Sequence, residues 1–130
     1  MTQPIETPIP TGELIDKITI LEIKAERIAD AASNANVRRE LHLLSARRDA
    51  VLPPDPALIA LADRLKAINE KLWELEDAIR DCERQGNFGA DFVAVARAVY
   101  RTNDERAAVK REINLATGST LIEEKSYARY

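Results

Sequence analysis

Residues 58–82 read LIALADRLKAINEKLWELEDAIRDC, and this stretch decides the fold. Leu58, Leu61, Leu65, Ile68, Leu72, Leu75, Ile79 and Cys82 follow one another at alternating steps of 3 and 4. Such steps return side chains to one stripe of an α-helix, so the stretch predicts a long helix laid against other helices over about three and a half heptads. Asp55 before Pro56 supplies an N-cap and a residue preset for the first helical position. Gly86 suits the left-handed residue that closes a helix. From Pro56 to about Gln85 the helix would span on the order of 45 Å.

Working outward, Pro53 and Pro54 stop whatever helix precedes them, because neither can donate the helical hydrogen bond. Downstream, Asn87, Phe88 and Gly89 read as a short loop with Asp91 as the next cap, so a fourth helix returns antiparallel. Its seam is Phe92, Val95, Val99, Thr102, Arg106, Val109, Ile113 and Ala116, interrupted by two polar members. Upstream, Thr11 is the expected cap of a first helix with an inward face of Leu14, Ile18, Leu21, Ala25, Ile28 and Ala32. The Ser and Asn residues of 33–36 predict a break, followed by a basic second helix carrying Arg38, Arg39, Arg47 and Arg48. The expected architecture is an all-α, four-helix antiparallel bundle with a long central helical hairpin. An extended N-terminal arm occupies 1–10, the bundle 11–118 and a tail 119–130, the tail anchored by Leu121, Ile122, Tyr127 and Tyr130.

A chain of 130 residues with 45% hydrophobic and 32% charged residues fits one helical domain. Its net charge of -3 carries no basic excess, which argues against a nucleic-acid partner. No apolar run reaches the roughly 18 residues of a membrane span, and the first ten residues, with Glu6 and three prolines, do not read as a secretory signal. The single Cys82 lies on the apolar seam as a small buried hydrophobe, and a cytoplasmic location is expected. There is no glycine-rich phosphate loop, no nucleophile with a base and acid partner, and no Cys and His cluster, so no cofactor is expected. Glu70, Glu74, Asp77 and Asp81 form one stripe, but Lys66, Lys71, Arg80 and Arg84 interleave with it, and an ion-paired face is expected there with no metal.

Two groups of residues are candidates for binding. On the first helix, Ile20 and Ile23 point away from the inward face and need a cover, which predicts a homodimer, an unidentified protein partner, or the chain's own ends. Asp16, Lys17 and Lys24 would rim that surface. The other group is a polar layer between the long helices, made of Asn69, Trp73, Thr102 and Arg106. A buried guanidinium without a partner costs several kcal/mol, so this layer sets the helix register, lines a ligand pocket, or marks a helix break at the capping pattern Thr102 to Glu105. The leading function is a homo-oligomeric interaction or structural module. The alternative is a small-molecule enzyme or binding protein, chorismate-mutase-like or resembling the magnesium-dependent helical nucleotide pyrophosphatases.

Three stretches, TGELIDKITILEIK at 11–24, NEKLWELED at 69–77 and VYRTNDERAAVKREIN at 99–114, together with EEKSY at 123–127, resemble a family of short bacterial proteins of unknown function. The resemblance implies a soluble, helical, bacterial protein and transfers no site residue.

Overall fold

The computed structural model describes residues 2–130, which form four helices and no strand: α1 Thr11–Arg27, α2 Ala31–Val51, α3 Pro56–Gln85 and α4 Ala90–Ala116. The long seam behaves as its spacing predicts. Asp55 accepts a hydrogen bond from the Ala57 amide at 3.0 Å to open α3, and Gly86, at φ 65°, closes it. Leu58, Leu65, Leu72 and Cys82 are buried along the stripe, and Leu61, Ile68, Leu75 and Ile79 are half-buried. After the short loop the chain doubles back, so that Arg64 near the start of α3 pairs with Glu112 near the end of α4 at 2.9 Å.

α4 is continuous through Thr102, so the capping pattern there makes no break. Thr102 faces inward and is buried, where packing overrides a local capping preference. Asp91 is a first-turn residue and not the cap. The turn is instead closed by Asn87, whose Oδ1 accepts from the Gly89 amide at 3.1 Å.

The other departures lie at the ends of α1. Thr11 does not cap it: the helix follows Pro10 with no side-chain cap, and the Thr11 amide donates to Ser119 Oγ at 3.2 Å, recruiting the residue after Gly118 in place of a local hydroxyl. α1 ends at Arg27, so Ile28 and Ala32 do not extend its face. The break falls at residues 28–30 and not at Ser33 to Asn36. Asp30 caps α2 by accepting from the Ser33 amide at 2.9 Å, and that bond holds its carboxyl below the ordinary range. Asn34 then donates to the carbonyls of Ala25 and Ile28 at 2.9 and 3.0 Å, locking the turn.

α1 touches all three other helices, whereas α2 touches α1 alone. Ile15, Ile18, Leu21 and Ile23 are therefore buried on several sides of one helix. The surface that seemed to need a second copy is covered within the chain: Ile23 is 1% exposed and Ile20 half-buried. The close approach of α1 to α4 requires Gly12, where an added Cβ would stand 2.3 Å from the Lys110 carbonyl oxygen. Beneath this crossing lies the core of Ile15, Leu58, Leu65, Val109 and Ile113. Away from it, the α3 and α4 hairpin extends as an arm. Between Trp73 and Arg101 only Cys82 is buried, although Leu75, Ile79, Phe92, Val95 and Val99 continue the apolar seam.

Candidate functional site

Beside the core, α1, α3, α4 and the C-terminal tail bring together a polar network centred on Asp16, which is 1% exposed. Arg106 grips this carboxylate with two nitrogens, Nε at 3.0 Å from Oδ1 and Nη2 at 2.5 Å from Oδ2. Such a fork is the arrangement in which a planar guanidinium best offsets the cost of burying charge. Asn69 reaches across from α3, donating to Asp16 Oδ1 at 2.9 Å and to Thr19 Oγ1 at 3.0 Å. The Thr19 hydroxyl donates in turn to the Asp16 carbonyl at 2.9 Å.

One turn along α4, Lys110 extends the network to Glu13 at 2.7 Å, Glu123 of the tail at 3.2 Å and Asp16 at 3.9 Å. Burial acts to lower its pKa, but the bonds from Glu13, Asp16 and Glu123 outweigh it, and the ammonium is held above its ordinary range. Arg106 is likewise raised, chiefly by its bonds to Asp16. A further turn on, Asn114 accepts from the Gly12 amide at 2.6 Å, which satisfies one of the free donors at the start of α1. No buried side-chain nitrogen or oxygen among the described residues lacks a partner.

The structure thus unites Asp16, Asn69 and Arg106 from the expected candidates, with Thr102 buried one turn away on the same stripe. Lys17 pairs with Glu13 at 3.7 Å on the outer rim, and Lys24 is half-buried. Trp73 is half-buried beneath the Arg27 guanidinium, 5.9 Å from its ring centre, and Arg27 also meets Glu70 at 3.5 Å and Glu74 at 3.6 Å. Part of the acidic stripe on α3 is therefore ion-paired, Asp81 with Arg84 included. Among the described residues no group of three or more His, Cys, Asp or Glu is placed to hold a metal ion. Glu13, Thr19, Lys110, Asn114 and Glu123 were not foreseen. A signal existed, since Thr102, Arg106, Lys110 and Asn114 recur every fourth residue and so follow one slowly turning stripe of α4.

Chemically the buried carboxylate of this network is closed. Asp16 already accepts from Arg106 and Asn69, which leaves it poorly placed to abstract a substrate proton. The groove on the face between α3 and α4, about 320 Å³, is lined by Lys71, Arg97, Arg101, Thr102 and Glu105 and does not include Asn69 or Arg106. No helix among the described residues is long and apolar enough to cross a membrane.

Fold and network together define a small all-α bundle protein clasped by an internal ionic layer. The chain belongs to a family of unknown function, DUF6165, which matches it over residues 5–130. No curated protein and no solved structure matches it.

Proposed function

We propose that this chain is a homodimeric interaction module, in which the hairpin arm of residues 75–99 pairs with the arm of a second copy. The observation that carries this reading is the arm itself: two long helices whose apolar seam continues past the point where α1 stops covering it. Phe88 and Val93 are 58% and 50% exposed there, and Leu75, Ile79, Phe92, Val95 and Val99 stay half-buried. Two helices bury only one side of each seam, whereas four helices close around it.

Charge favours a second copy as the occupant. Over residues 74–85 α3 carries Glu74, Glu76, Asp77, Asp81 and Glu83 against Arg80 and Arg84, while over 90–101 α4 carries Asp91 against Arg97 and Arg101. A two-fold axis through the arm sets the acidic helix of one copy beside the basic segment of the other, twice. The lone, buried Cys82 suits a cytoplasmic setting. The test is Val93→Glu, which changes an exposed residue and leaves the single chain folded. We expect unchanged helical circular dichroism with later elution from a sizing column. Elution identical to the wild type would remove the arm as the interface.

A further inference from the structure

The chain is poor in aromatics, yet all three of its tyrosines, Tyr100, Tyr127 and Tyr130, line one groove between α4 and the C-terminal tail. Its volume of about 880 Å³ lies within the roughly 300–1,000 Å³ of small-molecule sites. The tail wall is held in place: Tyr130 donates its hydroxyl to Asp104 at 2.6 Å and packs edge-on against Tyr100 with ring centres 5.2 Å apart. Lys125 lies 6.0 Å from the Tyr127 ring centre.

Three cations, Arg106, Lys125 and Arg129, also line the groove. Lys125 has only a 3.9 Å contact to Glu123, and the one carboxylate among the lining side chains, Asp104, is engaged by Tyr130. Arg106 stands where the internal network meets this groove. Its Nε and Nη2 are fixed on Asp16, and Nη1 donates no hydrogen bond among the described residues. A guanidinium aimed by a buried carboxylate and still holding free donors is preorganised for an oxyanion. Tyr127 and Tyr130 are 77% exposed and Tyr100 42%, and although Lys125 lies over the Tyr127 ring and Arg101 over that of Tyr130, the remaining ring surface suits a flat apolar body.

We infer that the groove between α4 and the tail binds a small aromatic oxyanion, with its charged group against Arg106, Lys125 and Arg129 and its ring among the three tyrosines. The inference does not rest on the proposed dimer, since the groove touches the arm only at Val99. It is tested on the full chain by titrating phenyl phosphate, benzoate, inorganic phosphate and benzyl alcohol, reading heat and the NMR signals of the tyrosine rings. We expect saturable binding of phenyl phosphate or benzoate that shifts all three rings, with inorganic phosphate and benzyl alcohol each weaker by roughly tenfold or more. Whichever aromatic anion binds more tightly tells whether phosphate or carboxylate is the preferred head. The double variant Lys125→Glu and Arg129→Glu, both solvent-exposed, should weaken that binding by roughly tenfold without changing the melting temperature. No saturable shift with either aromatic anion, equal affinity for inorganic phosphate, or binding unchanged in the double variant would overturn the inference.

Discussion

Asp16 is the residue on which the bundle closes, because a carboxylate 1% exposed is tolerable only while Arg106 and Asn69 answer it. Asp16→Ala leaves that guanidinium and amide without their acceptor, and chemical denaturation should show a loss of about 3–5 kcal/mol. Gly12 gives a prediction of unusual sign. Alanine in place of glycine ordinarily strengthens a helix interior by roughly 0.5–1 kcal/mol. Here the new methyl would meet the Lys110 carbonyl oxygen at 2.3 Å, so Gly12→Ala should destabilise the chain by about 1–3 kcal/mol in the same measurement. Arg106 and Asn69 were legible as a polar layer, since an Arg on an apolar seam is a local contradiction. Glu13 was not, because it lies beside the α1 seam, while Lys110 and Asn114 showed only as the continuation of the Thr102 and Arg106 stripe and meet α1 through the close crossing that Gly12 permits. Lys110 binds its proton more tightly once folded, so its contribution is complete below the unfolded value of 10.5 and is lost as pH rises through the folded one. Wild-type stability should therefore fall on titration above about pH 10.5, and Lys110→Met should show a shallower fall together with a loss of about 2 kcal/mol at neutral pH.

Among the elements, α3 was readable almost to the residue, because its seam, the Asp55 and Pro56 start and the Gly86 stop all point the same way. The join of α1 and α2 was not. Ile28 and Ala32 continue the heptad spacing, and the sequence offers several capping residues nearby; the Asp30 bond to the Ser33 amide decides among them. α2 also shows how periodicity can mislead about burial. Val37, Leu41 and Leu44 repeat at helical spacing, yet no residue of α2 is buried, because only α1 lies against it. The arm carries an element-scale prediction. In a monomeric variant such as Val93→Glu, amides of residues 75–99 should exchange with solvent through local opening, at a lower free energy than those around Leu65 and Ile113. Uniform protection along both long helices would show that the arm needs no second copy.

At the scale of the molecule, an extra apolar face on α1 and a homodimer looked like one question from the sequence, and the structure separates them. α1 is wrapped by its own chain, with Ile23 sealed inside, so the case for self-association passes to the exposed end of the hairpin. No reading of one helix could make that transfer, since what covers Ile23 depends on where the other three helices lie. The internal ionic layer ties α1 and the tail to the hairpin through Asp16, Glu13 and Glu123. The most direct measurement is the solution mass of the wild-type protein by light scattering across a wide range of concentration. The expected result is a particle of twice the 14.5 kDa chain that gives way to single chains only on strong dilution. A mass of 14.5 kDa at every concentration would contradict it.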